Sequence, residues 1–290
     1  MSFKGKDYVV EELTPESFKD IDIALFSAGG SRSKEFAHSA VESGAVVIDN
    51  SSAFRMDPEV PLVVPEINPE DIKAHKGIIA NPNCTTIIAG MAVWPIHKLS
   101  KVKRMVVATY QAVSGAGAKA IEELEDQSKD YLNEKNIKKE IFRHPIAFNL
   151  FSHDSKIGAE GYSEEEMKIV KETRKIFHDG ELLVSPTAVR VPIFRAHAEA
   201  IHLELEKPLS LEAVKSALSQ MPGVKIIDDR ENNHFPMPNE VSGKDDVYVG
   251  RIRHDLGLPN GLNIFVCGDQ ILKGAALNAV QIAEKLIGFL

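Results

Sequence analysis

The chain has two cysteines, and only one of them sits where a thiol becomes a nucleophile. Pro82 disfavours helical backbone at Asn81, and Asn83 is a good N-cap type, so Cys84 falls in the first turn of a helix predicted over Thr85–Ile96. Unpaired N–H groups and the positive dipole end lower a thiol's pKa there, which predicts accessible thiolate near neutral pH. A small buried apolar residue is the plainer reading of any cysteine, and it is kept for Cys267 inside LNIFVCGD. His197 is a candidate general acid/base because imidazole titrates nearest working pH, although a histidine between two alanines on a strand is more often structural. Arg190 offers a planar fork for a carboxylate, with an ordinary salt-bridge arginine as the alternative. Glu165 and Lys168 stand at i,i+3 on a helix, a spacing that by itself makes only a surface ion pair. Gln111 closes an apolar run and reads as a polar strand end.

The elements that must position these groups fall into two patterns. Up to Cys84, short apolar runs alternate with polar helical stretches, as in a parallel sheet covered by helices. Ile21–Phe26 is a predicted strand running into Ser27-Ala28-Gly29-Gly30, followed by a helix over Arg32–Ser43 that stops at Gly44. Ala45–Ile48 and Ile78–Ala80 are further strands, with a short helix over Pro69–His75 between them. Beyond Arg104 the β-rich runs MVVATYQAV, LLVSPTAVRV, AIHLELE, VYVGRIR and NIFVCGD suit an α+β domain with an open, partly antiparallel sheet. A capping box at Ser163 and Glu166 starts a helix reaching Phe177. Helices are also predicted over Leu211–Met221 and Lys273–Phe289. The expected fold is α/β: a Rossmann-like parallel-sheet domain over 1–84 plus 270–290, and a second α+β catalytic and dimerisation domain over 85–269.

Composition narrows the function classes. A net charge of −8 without a Lys/Arg-rich block argues against nucleic acid as a partner. No apolar run approaches the roughly 20 residues of a membrane span, and the polar start lacks a signal-peptide core, so no membrane partner and a cytoplasmic location are expected. A reducing compartment keeps both cysteines as thiols.

Five strings then stand in one order: Ser51-Ser52-Ala53-Phe54-Arg55, Asn81-Pro82-Asn83-Cys84-Thr85-Thr86, Tyr110 to Gly117 (YQAVSGAG), Glu165-Met167-Lys168, and Arg190 with His197 in RVPIFRAH. Cys-Thr-Thr alone also occurs around the nucleophile of glyceraldehyde-3-phosphate dehydrogenases. Together the strings resemble the aspartate-β-semialdehyde dehydrogenases along the whole chain. That resemblance implies NADP-dependent interconversion of L-aspartate 4-semialdehyde plus phosphate with L-aspartyl 4-phosphate, through a cysteine thioester, on the route to lysine, threonine and methionine. It implies Cys84 as nucleophile, His197 as acid/base and Gln111 as the group orienting the carbonyl. Arg190 and Glu165 would hold the substrate's carboxylate and ammonium, and Lys168, Arg55 and Asn83 the phosphate. Ala28, Gly29, Ser114, Gly115, Gln270 and Asn278 would contact the cofactor, and no metal is expected. A homodimer or homotetramer is the implied assembly.

The chain departs from that family at its start, where a strand and a G-x-x-G-x-x-G loop cradle pyrophosphate. SFKGKDYVVEEL resembles the hairpin after that unit, so a βα unit of roughly 30 to 45 residues is expected to be missing, with an upstream start as the favoured explanation. Two alternatives stay open: an N-acetyl-glutamyl-phosphate reductase-like enzyme, whose N-acylated substrate does not need the anion of Glu165, and a cofactor-deficient dimerising form without catalysis.

Overall fold

The computed structural model describes residues 1–289. In chain order the strands are β1 (Ser2–Phe3), β2 (Lys6–Asp7), β3 (Ile23–Phe26), β4 (Val46–Asp49), β5 (Ile78–Ala80), β6 (Val102–Gln111), β7 (Phe151–Ser152), β8 (Leu183–Arg190), β9 (His197–Leu205), β10 (Val224–Ile226), β11 (Val247–His254) and β12 (Gly261–Gly268). The helices are α1 (Gly30–Glu42), α2 (Cys84–Leu99), α3 (Ala118–Leu132), α4 (Glu164–Ile176), α5 (Leu211–Gln220), α6 (Pro238–Val241) and α7 (Leu277–Ile287). A π-turn over Leu272–Ala276 precedes α7, so the helix expected to begin at Lys273 is wound in two ways.

β3, β4 and β5 form a parallel three-stranded sheet. Phe36, Ala37 and Ala40 of α1 bury one of its faces together with Val47. Ala279, Ile282 and Leu286 of α7 close the other over Ile48, Val63 and Ile79. A sheet covered on both faces explains the near-continuous apolar runs of its strands. β3 is one edge of the sheet, and Leu25 on it is 53% exposed.

The second sheet runs β10-β11-β12-β9-β6-β8-β7 and is mixed, as expected for an α+β unit. Its register decides where side chains gather. β6 pairs in parallel with β8, which sets Gln111 opposite Arg190. β9 runs antiparallel to β6 and β12, so its first residue, His197, lies beside Ala198 opposite Tyr110 and is itself opposite Gly268. One end of the sheet therefore collects Gln111, Arg190 and His197.

Buried nearly all round, α2 fills the space between the sheets. Such a helix owes its place to packing rather than propensity, and it continues through Pro95 three residues past the expected end. Its N-terminus points at the Gln111 end of the large sheet. Gly268 faces Ile88 there, where an added Cβ would lie 2.9 Å from that side chain. α4 packs on β8 and begins at the expected capping box: Ser163 Oγ accepts from Glu166 N at 3.2 Å, and Glu166 Oε2 accepts from Ser163 N at 2.7 Å. Glu166 Oε1 also accepts from Ala188 N at 2.9 Å, tying the helix start to the strand. Ser163→Ala removes the cap and is expected to lower stability by about 1 kcal/mol in urea denaturation. An unchanged midpoint would show that strand contacts alone fix α4.

Candidate active site

Asn83 is the N-cap of α2, its Oδ1 accepting from Thr85 N at 3.1 Å and Thr86 N at 3.4 Å. Cys84 thus stands at the first helical position, as its spacing predicts. Asn83 Nδ2 donates to Glu165 Oε1 at 2.9 Å, and Gln111 Nε2 donates to the same oxygen at 3.2 Å. Thr109 Oγ1 donates to Gln111 Oε1 at 3.0 Å, which settles the amide's orientation. The second carboxylate oxygen of Glu165 takes Lys168 Nζ at 3.0 Å.

Arg190 donates from Nη1 to Ala112 O at 2.8 Å, and its Nη2 lies 2.9 Å from His153 Nε2. His197 Nδ1 accepts from Ala112 N at 3.1 Å. A nitrogen that accepts carries no proton, so the neutral ring is protonated at Nε2, and that atom has no protein partner. Gly115 brings these two groups to one wall. A Cβ there would lie 3.3 Å from His197 Cε1 and 3.4 Å from Arg190 Nη1, so any side chain would crowd both.

All the residues predicted for catalysis, substrate or phosphate line one cavity of 410 Å³: Arg55, Asn83, Cys84, Gln111, Glu165, Lys168, Arg190 and His197. Gly115 joins them. Ala28 and Gly29 lie outside it, at the C-terminal end of β3, where Gly29 has φ +88° and opens α1. Ser114, Gln270 and Asn278 do not line the cavity either. Gln270 donates to Ser114 Oγ and accepts from Ala196 N at 2.9 Å. Asn278 donates to Val63 O at 3.0 Å and Asn81 Oδ1 at 2.6 Å, and accepts from Lys273 Nζ at 2.9 Å. Both amides are used internally, because burial at 3% and 0% exposure requires partners within the protein. His153, Asp154 and Ser155 line the cavity without having been foreseen. The two-residue β7 that delivers them carries no sequence signal beyond its antiparallel pairing with Val189 and Arg190.

The electrostatics reverse two expectations. Burial pushes the Cys84 thiol up to about 12, and the Glu165 charge adds to this, while Arg55, Thr85 N–H and Arg190 only partly oppose it. The helix start alone does not yield a free thiolate. Burial and the charge of Arg190 hold His197 down to about 3, so the imidazole is neutral and not poised near neutral pH. Glu165 goes the other way: burial disfavours its charge, but Lys168, His153 and the Asn83 amide overcome this and hold it at about 2. The resting pocket pairs an ionised carboxylate with a neutral thiol and a neutral imidazole. Cys267 is fully buried and burial raises its thiol too, in keeping with its structural reading.

This two-sheet arrangement is that of the semialdehyde dehydrogenases: the model for semialdehyde dehydrogenase, NAD binding domain, matches residues 1–75, and that for semialdehyde dehydrogenase, dimerisation domain, matches 93–273. The chain is 55% identical over 287 residues to an aspartate-semialdehyde dehydrogenase of Synechocystis sp., covering 99% of this chain and 85% of that protein. It is 48% identical to the Bacillus subtilis enzyme of that name, covering 99% and 85%. The crystal structure of aspartate semialdehyde dehydrogenase II from Vibrio cholerae, complexed with ASA, superposes with a TM-score of 0.94 at 44% identity, covering 99% of this chain and 86% of that one. The chain belongs to the aspartate-semialdehyde dehydrogenase family, oxidoreductases of amino-acid biosynthesis. Residues 1–75 accordingly belong to a dinucleotide-binding domain family and 93–273 to a dimerisation domain family. No helix among the described residues is long and apolar enough to cross a membrane.

Glu165 and His197 also set an acid limb of stability. A carboxylate depressed from 4.5 to about 2 adds stability above pH 4.5, worth about 3 kcal/mol, that is lost as pH falls through 2. His197, depressed from 6.5 to about 3, favours the fold fully above pH 6.5, and this contribution fades down to about 3 as the unfolded chain takes up the proton first. In urea denaturation between pH 7 and 4, His197→Gln should lose less stability than wild type. Parallel pH profiles would contradict the depressed imidazole.

Proposed function

We propose that the chain catalyses the NADP-dependent, phosphate-requiring oxidation of L-aspartate 4-semialdehyde to L-aspartyl 4-phosphate, and the reverse, through a thioester on Cys84. The observation that carries this reading is the single cavity holding a helix-mouth cysteine, an anion and two kinds of cation. Arg190 and the ionised Glu165 face it together, which fits a substrate bearing both a carboxylate and an ammonium group. An N-acylated substrate has no cation for Glu165. That contrast favours the amino acid over the N-acetyl-glutamyl-phosphate alternative.

Burial is the larger cause of the raised Cys84 thiol, and a substrate ammonium beside Glu165 offsets the second cause, the Glu165 charge, against which Arg55 and Arg190 already favour thiolate. Binding thus moves the thiol toward its nucleophilic form. The thiol proton leaves to the solvent of the cavity, the thiolate attacks the aldehyde carbon, and Gln111 and the backbone N–H of Cys84 face the oxygen as its charge develops. His197 serves as acid/base at Nε2, its only ring nitrogen facing the cavity, and in the resting tautomer first acts as a donor to that oxygen. Lys168, Arg55 and Asn83 hold the phosphate that cleaves the thioester.

NADP is the dinucleotide implied by the resemblance, and when bound it supplies the hydride acceptor. The residues fit such a group: nothing lies within 4 Å of where a Cβ would stand on Gly29, leaving the backbone at the mouth of α1 open to close approach. Ala28, Gly29 and Gly115 would hold it, while Ser114, Gln270 and Asn278 shape the wall behind. We place the domain division at 1–84 plus 270–290 and 85–269, with the second domain assembling a homodimer or homotetramer.

Cys84→Ala should abolish phosphate-dependent NADP reduction while leaving the circular dichroism spectrum intact. Glu165→Gln should raise the KM for aspartate semialdehyde roughly tenfold or more, as loss of a charged hydrogen-bond partner implies. Turnover surviving in Cys84→Ala would end the thioester reading.

A further inference from the structure

Glu172 belongs to the group of side chains around the cavity without lining it, and nothing in the motifs pointed to it. It sits on α4 at i+7 from Glu165 and i+4 from Lys168, so the three acidic and basic groups share one face of the helix. Its side chain is 1% exposed. Both oxygens accept: Oε1 from Arg55 Nη1 at 3.2 Å, and Oε2 from the backbone N–H of Asn83 at 2.6 Å. Burial raises the Glu172 pKa, and the Arg55 charge and the Asn83 N–H act against it in favour of the carboxylate.

Arg55 is itself only 7% exposed, and two more of its five N–H donors go to backbone carbonyls, Nε to Asn81 O at 2.8 Å and Nη2 to Asn50 O at 3.0 Å. Asn83, the other partner, is the N-cap immediately before Cys84. One buried carboxylate therefore fixes the distance between the cationic end of the cavity and the mouth of the helix bearing the thiol. We propose that Glu172 is a positioning residue that registers the phosphate-binding Arg55 against the Cys84 helix, so that phosphate is held in line with the thioester carbon. The proposal rests on the thioester reading above and adds to it a residue that touches neither substrate nor cofactor.

Glu172→Gln is nearly isosteric but carries one acceptor and one donor, so either Arg55 or the Asn83 N–H must face an N–H group. Removing one partner of a buried pair leaves the other charge poorly compensated. Arg55 then shifts relative to Cys84, and the effect should fall on phosphate. In steady-state kinetics, the KM for inorganic phosphate should rise at least about tenfold, with the KM for aspartate semialdehyde changing less than about threefold. A second readout avoids turnover: inorganic phosphate should protect Cys84 from iodoacetamide, and the concentration giving half protection should rise by a similar factor. Glu172→Asp keeps the charge and is expected to lie between the two proteins in both measurements. It stands in if the glutamine variant does not fold. A general loss of packing would instead move both KM values together, and that result, or wild-type phosphate behaviour in the variants, overturns the proposal. If wild-type Cys84 is neither protected by phosphate nor active with it, the thioester reading falls first and this inference with it.

Discussion

Asn83 is bonded from three sides, and the site is built outward from it. Its Oδ1 caps α2, its Nδ2 reaches Glu165, and its backbone N–H reaches Glu172. Those contacts draw the first turn of the central helix and the buried face of α4 onto one residue. The large sheet supplies the rest, since the parallel register of β6 and β8 and the antiparallel entry of β9 leave no freedom in where Gln111, Arg190 and His197 meet. Ala196, with φ +71°, is the sharp turn that admits β9 at that point, and its N–H is taken by Gln270. A residue with a Cβ held in the left-handed region costs on the order of 1 to 3 kcal/mol, which the surrounding packing offsets.

The cavity shows why burial and charge must be weighed together. A helix N-terminus favours thiolate, yet Cys84 lies deep enough, and near enough to Glu165, that the neutral thiol prevails. The same Glu165 stays ionised because Lys168, His153 and the Asn83 amide compensate its desolvation. Among buried groups, the number of compensating partners decides which one holds the charge.

Much of this was legible in the residues. Asn83-Cys84 read as a cap and first helical position, Ser163 with Glu166 as a capping box, and the apolar runs as strands of two kinds of sheet. Boundaries moved by a few residues: the expected strand at Ile21 begins at Ile23, and the one at Ala45 begins at Val46. Helix α3 went unread because its charged, Lys- and Glu-rich face outweighs the few apolar positions it buries. The depressed imidazole and raised thiol were beyond reach, because they depend on burial and on Arg190 and Glu165 arriving from distant segments. Glu172 carried a faint signal, an acid at helical spacing on the same face as buried Ile169, Thr173 and Ile176. Its partners, 117 and 89 residues away, did not.

Gly274, in the π-turn, lies against Cys84, where an added Cβ would come within 3.0 Å of that of the cysteine. Asn81, just before the thiol, hydrogen-bonds to a carbonyl 194 residues further on. During synthesis the chain therefore emerges with its sulfur unwalled, and the enclosure is finished only once the segment around Gly274 and Ala275 has followed and folded against the start of α2. An incomplete translation product would carry a thiol stripped of its shelter, prone to oxidation and unable to organise the chemistry around it.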